Sequence, residues 1–261
     1  MKSKDVIYYS DELNDEFSTA KIIPRKIDEN YKYKHSKLWD CCSWIIQNVI
    51  SMPIKVGYAK LKFKIKYVGK EKLKQCEGSG YFVYANHTQA FADTFIPSIA
   101  IFPKRNFLIV NPENISVKPF GWFVEMLGAI PVPGNKTAMK RFLETIDEKI
   151  NKKYAITIYP EAHIWPYYTR IRPFKSVSFK YPVELDRPVF CITNTYQKRG
   201  KKGNRVQIVS YVDGPFWVDK NLSAKEQKED LRNRVYECMR DRSENSNIEV
   251  IKYVKKELSE V

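Results

Sequence analysis

The stretch YFVYANHTQAFADTF, residues 81–95 of this 261-residue chain, holds the residue types best suited to proton transfer. An apolar run ends in Asn86-His87, and Asp93 follows six positions after the histidine. Histidine is the side chain that exchanges a proton most readily near neutral pH. A neighbouring carboxylate can fix its tautomer and stabilise the imidazolium that forms. His87 is one of only three histidines, and Asp93 is the only acid between Glu77 and Glu113. The pair reads as a general base with its orienting carboxylate; the alternative is a histidine that caps the next helix or sits satisfied in the core. A second stretch, ITIYPEAHIWP at 156–166, ends another apolar run in Pro160-Glu161, with His163 two residues on. Between the two lies PFGWFVEMLGAIPVPGN, 119–135, whose glycines suit close backbone approach.

Reactive groups of an α/β sheet gather where strands end and loops begin, so these stretches call for strands ending just before Asn86 and Pro160. Short apolar runs predict strands at 81–86, 106–110, 155–159, 188–194 and 205–213. Helical spacing predicts helices at 92–101, 118–127, 136–150, 223–240 and 247–258. The expected fold is an α/β domain with a central mixed, largely parallel sheet flanked by helices. Strict alternation in KLKFKIKYV, 60–68, predicts a further strand with Lys60, Lys62, Lys64 and Lys66 on one basic face. Residues 1–37 are polar and aperiodic and read as an irregular arm. With the helix that follows they form an expected N-terminal appendage, 1–57, ahead of a domain at 58–261.

That helix is CCSWIIQNVISMPI, 41–54, and it is too short and too interrupted to span a bilayer. Leu38, Cys41, Cys42, Ile45, Val49 and Met52 share helical spacing, and Trp39, Trp44 and Ile46 widen the apolar surface. It reads equally as a core helix or as an amphipathic helix lying on a membrane surface. Lys and Arg outnumber Asp and Glu by 45 to 30, a net charge of +15 that suits an anionic partner. Cys41, Cys42, Cys76, Cys191 and Cys238 show no metal-ligand spacing, and the first residues show no secretory signal, so free thiols in a reducing compartment are expected.

Taken in order, these stretches resemble the blocks of the glycerolipid acyltransferases, the lysophosphatidic acid acyltransferase family. ANHTQAFAD supplies the Asn-His and Asp of the first block as Asn86, His87 and Asp93; GWFVEMLGAIPVPG follows the second; YPEAHI and RPFKSVSFKYPVELDRPVFCI follow the third and fourth. The resemblance spans about 60–215. It departs from the family at several points. Five residues rather than four separate His87 from Asp93, Gly134 stands where the second-block arginine is expected, and Ala162, His163 and Ile164 replace Gly, Thr and Arg. Cys191 replaces a proline.

The resemblance implies acyl transfer from acyl-CoA or acyl carrier protein to a hydroxyl of a lysophospholipid such as lysophosphatidic acid, with no metal and no cofactor beyond that co-substrate. His87 would be the base, oriented by Asp93, with backbone N–H groups of the loop after Asn86 as oxyanion donors. Asn86 and Glu161 would shape the acceptor site, and Lys175, Arg170, Arg172 or Lys136 would meet phosphate. Such an enzyme works on the cytoplasmic face of a membrane, held peripherally or monotopically on anionic lipids, and not on nucleic acid. Three other readings compete. A nucleic-acid-binding module fits the charge, but the sequence lacks recognition motifs for one. A metal-dependent hydrolase would use His87, Asp93, Glu161 and His163, which lack short ligand spacing. An inactive membrane-binding scaffold fits the missing arginines, as does, within the acyltransferase reading, an acceptor that carries no phosphate.

Overall fold

The computed structural model describes residues 5–17, 22–200 and 205–256. Seven strands form one sheet in the order β2-β8-β7-β3-β6-β4-β5: β2 (Lys66–Val68), β3 (Tyr81–Ala85), β4 (Asn106–Val110), β5 (Ala129–Pro131), β6 (Ala155–Ile158), β7 (Val189–Lys198) and β8 (Val206–Phe216). Every pairing is parallel except β7 with β8. The fold is α/β, with a mixed, mostly parallel sheet flanked by helices.

β3 lies at the middle of the sheet, and all five of its residues are buried. Such a run of apolar residues is what a strand covered on both faces requires. Phe82 and Tyr84 enter the core beneath α5 (Lys136–Asn151) and α7 (Ala224–Ser243), while Tyr81, Val83 and Ala85 enter the core beneath α3 (Ala92–Ile101). Asn135 caps α5 by accepting the Ala138 N–H at 2.8 Å. Phe142, Ile146 and Ile150 then recur every fourth residue and are buried. Ser223 and Glu226 close a reciprocal capping box at the start of α7, which buries Leu231, Val235 and Met239 at the same spacing.

Three expectations about local structure are overturned. The alternating stretch 60–68 is not one strand. The helix that starts at Lys37 runs as α1 (Lys37–Ile45), a π-helical turn, α2 (Ser51–Tyr58) and a second π-helical turn ending at Phe63. Leu61 is 86% exposed and Phe63 only 3%, so residues two apart face opposite ways, as a helix dictates and a strand forbids. Lys64 then turns left-handed (φ 46°) and only Lys66–Val68 pair with β8. The helix expected at 247–258 is instead β9 (Ile251–Lys255), and part of the supposed irregular arm is β1 (Asp5–Tyr9). These two pair in parallel as a separate ribbon, Asp5 opposite Ile251 through Tyr9 opposite Lys255. A periodicity scan sees neither partner of such a long-range pair. Residues 1–4 and 18–21 of the expected arm and 257–258 of the expected helix lie outside the described residues.

The arm also contributes Ile27, Tyr31 and Tyr33 to the main core. α1 and α2 show an inverted pattern: Ser43, Gln47 and Lys55 are buried against the body, while Leu38, Trp44, Ile45, Val49, Ile50 and Ile54 are exposed. No helix of the described residues is long and apolar enough to cross a membrane.

Candidate active site

β3, β6 and β7 lie side by side and run parallel, so their carboxyl ends open on one edge of the sheet. His87 follows β3, Glu161 follows β6 and Asn194 lies in β7. The register therefore brings together three residues more than a hundred positions apart in sequence at their extremes.

The His87 Nδ1 lies 2.9 Å from Asp93 Oδ2, despite the extra residue between them. Asp93 is fully buried at the start of α3, and its carboxylate organises the loop that leads to it. Oδ2 also accepts the N–H groups of Thr88 at 2.6 Å and Gln89 at 2.7 Å, and Oδ1 meets the Asn194 amide at 3.4 Å. Within the loop, Phe91 is turned outward, 67% exposed. His87 keeps 16% of its side chain exposed, and no described residue hydrogen-bonds its Nε2. An Nδ1 tied to a carboxylate is the protonated one, which leaves the Nε2 lone pair without a protein partner among the described residues.

The rest of the site holds the imidazole in place. Tyr159 at the end of β6 stacks on it, with ring centroids 4.4 Å apart and planes 24° from parallel, and its hydroxyl donates to the Asp93 carbonyl. Asn86 exchanges both amide groups with the backbone of Asn194: Nδ2 donates to the carbonyl at 3.0 Å, and Oδ1 accepts the N–H at 2.8 Å. Thr88 and Gln89 are anchored on the Tyr196 hydroxyl at 2.8 and 3.0 Å. Nothing in the polar composition of β7 distinguishes Asn194 and Tyr196 beforehand; only strand register does. Tyr159 directly precedes the Pro-Glu pair, and its place at the end of an apolar run is the one sequence signal that it carries.

Glu161 is buried and faces inward. Its Oε2 accepts the His87 N–H at 2.9 Å and its Oε1 the Arg172 N–H at 2.9 Å, while the Arg172 guanidinium stands 3.5 Å from Oε2. Burial pushes the Glu161 carboxyl above the usual range, against the pull of Arg172 and the two N–H groups. The expectation that the loop after Asn86 supplies oxyanion donors fails at its first three residues. The N–H of His87 serves Glu161, and those of Thr88 and Gln89 serve Asp93.

Arg172 is buried in the same network, whereas Arg170, Lys175 and Lys136 are exposed. His163 points toward Glu16 of the arm, Nδ1 to Oε2 3.4 Å, rather than joining His87, Asp93 and Glu161 as a fourth metal ligand. Among the described residues, the group of side chains close enough to share a metal is Cys191, Asp213 and Cys238. Its carboxylate is already engaged by Lys72 at 2.6 Å and Arg242 at 2.8 Å.

The family model described as Acyltransferase matches residues 64–194, half of the chain, and that span contains the whole network from Asn86 to Asn194. The crystal structure of the 1-acyl-sn-glycerophosphate (LPA) acyltransferase PlsC from Thermotoga maritima is similar, at 16% identity and a TM-score of 0.48, over 78% of this chain and 95% of that one. No curated protein matches the sequence.

Proposed function

Since this chain belongs to the acyltransferase family, we propose that it moves a fatty acyl group from an acyl thioester, acyl-CoA or acyl carrier protein, to a hydroxyl of a lysophospholipid-type acceptor at a membrane surface. The observation that carries this is the His87–Asp93 pair, 2.9 Å apart, with Asp93 buried and Nε2 open. Nε2 takes the proton of the acceptor hydroxyl as the oxygen attacks the thioester carbonyl carbon. The tetrahedral intermediate collapses by breaking the C–S bond, and the imidazolium gives its Nε2 proton to the leaving sulfur, which returns His87 to its neutral form. The products are an ester and a free thiol. Asp93 keeps Nδ1 protonated throughout and stabilises the imidazolium between the two steps.

Two features support a membrane setting. The outward apolar face of α1 and α2 carries Trp44, Val49, Ile50 and Ile54, with polar side chains turned inward, the reverse of a helix that faces water. Lys60, Lys62 and Lys64 follow at its end and suit anionic headgroups, which supports the reading of a peripherally bound enzyme on the cytoplasmic face. The test is incubation of the purified protein in anionic liposomes with a labelled acyl thioester and a panel of lysolipids and neutral alcohols. Labelled ester with stoichiometric free thiol is expected; release of free fatty acid alone would assign a hydrolase instead.

A further inference from the structure

A phosphomonoester acceptor carries two negative charges, and an enzyme that selects it aims charge-assisted donors at them. Arg172 is the arginine that touches the His87 network, and its guanidinium is turned inward. It is 1% exposed, pairs with Glu161 at 3.5 Å, donates to the carbonyls of His163 and, at 3.3 Å, Glu12, and lies 4.9 Å over the Trp165 ring. Its Nε is buried with no partner among the described residues, so it too is withheld from solvent.

The arm seals Arg172 in. The Trp165 indole donates to the Asp15 carbonyl at 2.8 Å, and Tyr9 and Phe17 pack their rings on Trp165 at 4.9 and 5.1 Å. The same turn of the arm carries Asp11, Glu12, Asp15 and Glu16, a local negative charge that disfavours a dianion there. Arg170, Lys175 and Lys136 remain, but they are exposed, and a lone exposed ion pair contributes only ~0–1 kcal/mol.

Resting on the acyl-transfer reading, we propose that the acceptor is taken without a phosphomonoester clamp, its headgroup being a phosphodiester or a neutral alcohol. Arg172 is instead the positioning residue of His87, acting through Glu161. One carboxylate accepts the N–H of both His87 and Arg172 at 2.9 Å, and the guanidinium 3.5 Å from it is the opposite charge that favours its ionised form. Weakening that charge loosens the main chain of the base for every acceptor alike.

The experiment is steady-state transfer from one acyl thioester to 1-acylglycerol 3-phosphate, 1-acylglycerol and a lysophosphodiester in mixed micelles, with wild type and Arg172→Lys. In wild type, kcat/KM is expected to be higher for one of the two acceptors without a phosphomonoester. Arg172→Lys should lower kcat by about 10–100-fold for each acceptor that is used, with KM little changed. A wild type that favours the phosphomonoester, or a variant that raises KM for that acceptor alone, overturns the proposal. If the variant does not fold, competition in wild type decides: inhibition by millimolar glycerol 3-phosphate contradicts the proposal, and indifference supports it. Transfer to none of the three acceptors sinks the acyl-transfer reading itself, and this proposal with it.

Discussion

Asp93 meets His87 through the same carboxylate oxygen that accepts the N–H groups of Thr88 and Gln89, at 2.9, 2.6 and 2.7 Å. The base is thus oriented by a group that also builds the loop on which it stands. Asp93→Asn with its carbonyl oxygen in the Oδ2 position keeps those three contacts, but it loses the negative charge and sets its N–H₂ against the Asn194 amide at the Oδ1 position. The imidazolium that forms during transfer then lacks the charge that stabilises it. The expected result is a kcat lower by about 10²–10⁴ and a stability loss of roughly 1–3 kcal/mol, read from kinetics and urea unfolding of the same preparation.

Lys55 sits on the inward face of α2, 5% exposed, and burial pulls its pKa down to about 8. The unfolded chain holds this proton up to about 10.4. Between these values the unfolded state binds more protons, so stability should rise with pH across that window, while below about 8 the cost of burying the charge is fully present. Lys55→Met is expected to be more stable than wild type at pH 7, by a few kcal/mol at most, and this advantage should shrink by pH 10. Urea midpoints of the two proteins at both pH values provide the check.

Ala162, in the turn that follows Glu161, has φ 62°. A side chain in the left-handed region costs about 1–2 kcal/mol, part of which glycine returns as chain entropy on unfolding. Ala162→Gly should therefore stabilise the protein by about 0.5–1 kcal/mol, seen as a higher urea midpoint with an unchanged slope. A lower midpoint would mean that the methyl group packs well enough to outweigh the strain.

The outward face of α1 and α2 invites a direct test. Ile50 and Ile54 are 54% and 65% exposed, so replacing both by aspartate disturbs little of the core. Far-ultraviolet circular dichroism and the melting temperature should hold, while co-sedimentation with anionic liposomes should fall by about tenfold or more. Raised salt should weaken wild-type binding only in part, because apolar insertion is not screened. Undiminished sedimentation of the double variant would move the membrane contact elsewhere.

Much of this arrangement is legible in the residues. The apolar run of β3 and the four-residue spacing of α5 report burial directly, and the positions of His87 and Glu161 just past strands say where reactive groups collect. What escapes the sequence is pairing at a distance. The parallel ribbon of β1 with β9 joins segments at opposite ends of the chain. KLKFKIKYV satisfies a strand's alternation, yet Phe63 is drawn into the core as the last turn of a helix begun at Lys37. Asn194, Tyr196 and Arg172 acquire their contacts with Asn86, Thr88 and Glu161 only through sheet register and loop closure. The spent N–H groups of the His87 loop are of the same kind, since donors can be counted in a sequence but acceptors cannot be assigned to them.

The most direct test is acyl transfer by His87→Ala beside wild type, in liposomes, at one acyl-thioester concentration and with the acceptor that wild type prefers. Because the His87 side chain is partly exposed and the loop is held by Asp93, Glu161 and Tyr196, the variant should fold. Its kcat is expected to fall by about 10³ or more, with liposome binding and melting temperature close to wild type. Transfer at the wild-type rate by a folded His87→Ala protein would contradict the assignment of the base, and with it the mechanism built on the His87–Asp93 pair.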